Sequence, residues 1–153
     1  MFGVFAAALN ALPLRASELG MEGGSGAIAD RYWGYLIGAW VSLNARRLDE
    51  RLGGRGRAAS LGMVVIALSL AWGMLPLAWG PLFGMVLGAC LGLFMTHPLL
   101  AAHITQLNPD RRGLMSGLYV SSYYIGGAVM SAISSSLLMT IGWRVTLGSL
   151  MII

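Results

Sequence analysis

The chain has 153 residues, of which 57% are apolar and 10% charged, with a formal net charge of +4. A soluble domain carries roughly a quarter charged residues, so too few polar groups are present to cover a folded surface, and lipid is the expected solvent. All ten basic residues are arginine, most of them in short gaps between apolar runs. No basic face with interleaved aromatics is present, which argues against nucleic acid as a partner.

Phe2 to Leu14 is apolar apart from Asn10. It is shorter than the roughly 20 residues a helix needs to cross a bilayer, so it is expected to be a partial span, over 2–14. A signal peptide is the competing reading, but no positive residue precedes the apolar run and LPLRASELG is a poor cleavage site. Pro13 has no amide proton and leaves the Leu9 carbonyl without its helical partner. Arg15, Glu18 and Glu22 then mark an aqueous connection that ends in the flexible Gly23-Gly-Ser-Gly26 turn.

A second span is predicted over 27–45, with Asp30 and Arg31 near its start and Tyr32, Trp33 and Tyr35 at interfacial depth. Gly34, Gly38 and Ser42 recur every four residues, a spacing that lets helices approach closely in lipid. Residues 46–57 form a charged loop holding Arg46, Arg47, Arg51, Arg55 and Arg57 beside Asp49 and Glu50.

From Ala58 to Leu107 there is no charged residue. That length suits two spans, 58–75 and 82–107, broken by Pro76-Leu-Ala-Trp-Gly-Pro81. Cys90 lies alone in this apolar run, so no disulfide framework or metal cluster is expected within the chain. Residues 108–113 are a second polar loop. The span 114–141 follows, in which Gly113, Gly117 and Ser121 keep the four-residue spacing and Gly127, Ser131 and Ser135 repeat it. A last partial span is expected over 145–153.

Two spans separate the two arginine loops, so both face the same side. Together they hold Arg46, Arg47, Arg51, Arg55, Arg57, Arg111 and Arg112, against Arg15, Arg31 and Arg144 in the other connections. The bias of basic residues toward the cytoplasm places both loops there.

LNARRLDERLGGRGR, set between the second and third spans, resembles the cytoplasmic G-x-L-A-D-R-x-G-R-R signature of major facilitator superfamily transporters, in the weaker form of their C-terminal half. Arg47 and Leu48 precede Glu50 in the acidic position, followed by Arg51, Leu52, Gly53, Gly54 and Arg55. PLRASELGM resembles the outer end of helix seven. HPLLAAHITQLNPDRRGLMSGLYVSSYYIGGAVMS is similar to helices ten and eleven of the bacterial efflux-type branch. The resemblance implies an all-α integral membrane fold, a partial half-bundle of helices seven to twelve with the first and last clipped, in a bacterial inner membrane. It further implies proton-coupled efflux of a small solute by alternating access, with an N-terminal six-helix half as partner and no cofactor. Arg47, Glu50, Arg51, Gly53 and Arg55 would form the conformational motif, Glu50 meeting a helix N-terminus of that other half, where the dipole favours an anion.

Polar side chains inside a bilayer are functional candidates by default. Tyr123 and Tyr124 lie ~15 Å into their span counted from Gly113, near the depth at which transporter sites cluster. Histidine as a residue type titrates near neutrality, which makes His97 a candidate proton carrier. Counted from Pro81 it lies ~24 Å deep, nearer the arginine end. Next to it, Pro98 frees the Phe94 carbonyl. Asn10 is a further cavity candidate, near the outer face of the first segment. Each of these could equally serve helix packing. No nucleophile with a base, phosphate loop or acid-histidine cluster is present, so neither an enzyme nor an ATP-driven pump is expected. The alternative function is a non-transporting scaffold or assembly subunit. Such a protein would be expected to have complete first and last helices, whereas both ends here fall inside apolar runs.

Overall fold

The computed structural model describes residues 1–18, 20, 25–76 and 79–152, and of residues 25–32 and 79 the backbone alone. Every regular element among them is helical: α1 (Phe2–Glu18), α2 (Ser25–Leu43), α3 (Ala45–Leu52), α4 (Arg55–Gly73), α5 (Trp79–Leu107), α6 (Arg112–Ile141) and α7 (Trp143–Ile152), with a 3-10 turn at Pro109–Arg111. Three of these helical stretches, in α4, in α5 and over Pro109–Ile141, are long and apolar enough to cross a membrane.

The apolar segments all become helices, with shifted ends. α1 runs through Pro13 to Glu18 instead of stopping at residue 14. α5 gains three residues at its start. The part of the expected turn at residues 77 and 78, and the part of the GGSG turn at 23 and 24, lie outside the described residues, as do the side chains of Asp30, Arg31 and Tyr32.

The larger correction concerns 46–57, expected to be a loop. Ala45–Leu52 is a helix, and α4 already begins at Arg55. Charge density alone does not break a helix when its spacing is helical. Arg46 and Glu50 pair at 3.2 Å one turn apart, while Leu52 turns inward onto Ala45, Ala58 and Leu99. The true break is the glycine pair. Gly53 takes φ +80° and Gly54 φ +115°, and the Gly54 N–H bonds the Asp49 carbonyl at 3.0 Å. Both values of φ favour glycine.

α5 is the central helix and packs against α2, α4 and α6, while α1 lies along α6. The α4–α5 seam is built from small residues. A Cβ added at Gly92 would lie 2.5 Å from the Gly62 carbonyl oxygen and 2.7 Å from Ile66 Cγ1. Thr96 sits on Gly62, Ser69 on Gly88, and Met85 on Gly73. Thr96 Oγ1 is within hydrogen-bonding distance of two carbonyls, Gly92 at 2.8 Å and Ala59 of α4 at 3.3 Å.

α2 uses its four-residue stripe against the same helix. Gly34 faces Cys90, Gly38 faces the Phe94 ring, and Ser42 Oγ donates to the Phe94 carbonyl at 3.4 Å. That carbonyl is the one that Pro98, inside α5, cannot bond. In contrast, Gly113 and Gly117 of α6 have open space where a Cβ would be, and Ser121 is exposed. Among the described residues their expected packing contact is not made. Leu114, Leu118, Ile125, Val129, Ile133 and Met139 of α6 are exposed as well.

Gly92→Val should overpack the seam and destabilise the fold by ~1–3 kcal/mol, read as a lowered midpoint in denaturant titration followed by helical circular dichroism. Gly117→Val should leave the midpoint unchanged. Equal midpoints for the two variants would show that the seam is not close-packed.

Candidate functional site

Two groups of polar side chains stand out from the apolar helices. The first joins α1, α5 and α6. His97 Nδ1 lies 2.7 Å from the Tyr119 hydroxyl, and the two rings stack at 5.5 Å between centroids. The hydroxyl also approaches the His97 carbonyl at 3.4 Å. Tyr123 follows one turn later on α6, its ring 4.8 Å from His97. Its other neighbour is Phe2 of α1, stacked at 3.6 Å with 13° between planes. Tyr124 meets both Phe2 and Tyr123 edge-on and is 64% exposed.

α1 is held in register for this contact. Phe2 fits over Gly127, where a Cβ would lie 2.5 Å from the ring, and Gly3 faces Met130 and the Gly126 carbonyl. One and two turns further on, Ser134 Oγ donates to the Ala7 carbonyl at 3.4 Å and Asn10 Nδ2 to Ser131 Oγ at 2.8 Å.

His97 is therefore at the level of Tyr123 and, as counting from Pro81 suggests, nearer the arginine end of its helix. α5 has 29 residues, ~43 Å at 1.5 Å per residue, and overruns at its far end. Counted back from Leu107, His97 is ~15 Å in, the same depth as Tyr123 counted from the start of α6. Asn10 does not join the ring cluster. It lies eight residues beyond Phe2, ~12 Å along α1, and spends its amide on Ser131. Tyr119 and Phe2 belong to the cluster, although neither stands out in the sequence. The spacing of Tyr119 and Tyr123, one helical turn, was the available signal.

The second group is at the arginine end. Glu50 is exposed and bridged to Arg46. Arg47 reaches Asn44 Oδ1 at 3.4 Å. The inward acid is Asp49, whose Oδ2 lies 3.5 Å from Arg55 Nε. Arg55 also donates through Nη1 to Gln106 Oε1 on α5. Asp49 Oδ1 is buried and has no hydrogen-bond partner among the described residues. Asp49 and Gln106 thus tie α3 and the start of α4 to the end of α5. The sequence pattern puts Glu50 in the acidic position, whereas the helical phase of α3 turns Asp49 inward.

The described residues contain no group of three or more His, Cys, Asp or Glu that could hold a metal ion. Compared with known proteins, the chain matches no family model, no curated protein and no solved structure.

Asp49→Ala should release α3 from the Arg55–Gln106 tie. A partly exposed ion pair contributes at most ~1 kcal/mol, so opening of α3, and trypsin cleavage at Arg46, Arg47 and Arg51, should rise about fivefold. Glu50→Ala should change the rate less. A rate in Asp49→Ala equal to that of the unaltered chain would show that the tie does not hold α3.

Proposed function

We propose that the chain is a six-helix half of a secondary transporter of the major facilitator type, with the α3 end in the cytoplasm. It would work with a second six-helix half to move a small solute outward in exchange for protons. The observation that carries this reading is the cluster of Phe2, His97, Tyr119, Tyr123 and Tyr124. Imidazole and phenol groups gathered ~15 Å in from the arginine ends of α5 and α6 have no place in a purely lipid-facing surface, and that is about half of a 30 Å hydrocarbon layer, the depth at which transporter sites lie. Tyr124 is exposed at the edge of this cluster, available to a solute or to the facing half. Among the described residues no carboxylate belongs to the cluster, so a proton-carrying acid would come from the other half.

The arginine distribution supports the orientation. α3, the start of α4, the 3-10 turn and the start of α6 carry seven of the ten arginines, and the hydrogen bond from Arg55 to Gln106 puts the first two beside the end of α5. Arg144 is at the opposite end, bound to the Met74 carbonyl just after α4.

Single cysteines at positions 47, 111 and 142, placed in a Cys90→Ala background, test the orientation. A membrane-impermeant maleimide should label 47 and 111 from the cytoplasmic side and 142 from the other. Labelling of 47 and 111 from opposite sides overturns the arrangement. Proteoliposomes holding this chain alone should not move ethidium under a pH gradient. An antibody against the Arg46–Arg57 stretch should detect, in native membranes, either a product more than twice the 16.2 kDa of this chain or a complex with a second six-helix chain. Ethidium movement by the chain alone, or a native product of this size with no such companion, would falsify the half-transporter reading.

A further inference from the structure

At the end of the molecule remote from α3, a groove of about 460 Å³ opens between the ends of α1, α4 and α6 and the start of α7, lined by Arg15, Met74, Leu75, Pro76, Trp143 and Arg144 among others. Two guanidinium groups thus share one cavity. Arg144 donates through Nε to the Met74 carbonyl at 3.1 Å, which leaves its terminal amino groups without a partner among the described residues. Arg15 lies 5.9 Å from the centre of the Trp143 ring and bonds Glu18 through Nη1 at 2.8 Å. Trp143 is fixed in turn by its indole N–H, which donates to the Gly73 carbonyl at 2.8 Å. Gly142, Trp143 and Arg144 also bring the first turn of α7 to the groove, and the unpaired amides of a helix start favour an anion. Among the described residues the opposing charge is Glu18, which offsets one arginine of the two.

The geometry points to a phosphate-binding site in this groove, taking either the headgroup of an anionic phospholipid or free inorganic phosphate. Forked guanidinium donors match the tetrahedral oxygens of phosphate. Met74, Leu75, Pro76 and Trp143 supply an apolar wall beside them, suited to the glycerol and upper acyl part of a lipid. The site lies at the far end from the aromatic cluster's nearest arginine loop and does not depend on the transport reading.

The test uses the full chain purified in detergent, with lipid retention read by native mass spectrometry. Phosphatidylglycerol should be retained about tenfold over phosphatidylcholine, as loss of charge-assisted hydrogen bonds implies. Arg144→Gln and Arg15→Gln should each remove most of that preference, and Arg111→Gln, at the other end, none of it. Glu18→Gln removes the opposing charge and should raise retention, which gives a readout of opposite sign that a folding defect cannot imitate. Inorganic phosphate alone, titrated with phosphorus NMR, separates the two sources. Binding that Arg144→Gln abolishes assigns free phosphate, and absence of such binding with phosphatidylglycerol retained assigns the lipid. Equal retention of the two lipids together with no phosphate binding overturns the site, as does a preference unchanged in Arg144→Gln, Arg15→Gln and Glu18→Gln alike.

Discussion

The contact on which the architecture depends is the approach of α4 to α5 at backbone distance. Gly62 and Gly92 face each other with no room for a methyl group, and Thr96 spans the seam to the Ala59 carbonyl. Dispersion energy falls steeply with separation, so glycine at the crossing point converts two apolar helices with little hydrophobic preference for each other into a specific pair. The other face of α5 is then free for α2, and here one defect is matched by one side chain. Pro98 interrupts the hydrogen-bond ladder of α5, and the Ser42 hydroxyl serves the carbonyl that is left over. A buried carbonyl without a partner is costly in any apolar setting, so this single bond both satisfies α5 and sets the height of α2 along it.

With α5 so placed, His97 is turned toward α6, and the docking of α1 onto α6 completes the aromatic cluster. Phe2 over Gly127 and Ser134 on the Ala7 carbonyl are two points one to two turns apart, enough to fix the register of α1. The face-to-face stack of Phe2 on Tyr123 is a consequence of that register. α6 itself buries little beyond Gly127, Ser134 and Leu138. Its remaining surface is open and carries large apolar side chains among serines, as expected of a helix whose other neighbours are lipid or another chain.

The two ends of the bundle are closed differently. At the α3 end the ties run between side chains, from Asp49 through Arg55 to Gln106. At the other end Trp143 and Arg144 bond the backbone carbonyls of Gly73 and Met74, so α7 is attached where α4 gives up its last unpaired carbonyls. Ion pairs that are partly solvated contribute little and yield easily, whereas the indole bond to the Gly73 carbonyl is buried and is costly to break. The α3 end is therefore the more readily opened of the two.

Helical class, the positions of the apolar segments and the segregation of arginines were legible in the sequence by itself, because each follows from local composition and period. So was the contact stripe of Gly34, Gly38 and Ser42, and with it the freed carbonyl at Phe94. The same four-residue spacing at Gly113, Gly117 and Ser121 meets no neighbour among the described residues, since spacing marks a face that could pack and only the arrangement of neighbours decides whether anything does. The stripe Gly84, Gly88, Gly92 and Thr96 has the same spacing in the sequence, and α4 packs along it. Helical phase decided that Asp49 turns inward while Glu50 does not, and that the charged stretch 45–52 is a helix. Tertiary structure alone decided that His97 and Tyr123 share one level and that Arg15 and Arg144, 129 positions apart in the numbering, face one groove. Depth counted along one helix has no common origin with depth along another until packing aligns them, and contacts between distant segments leave no trace in local pattern.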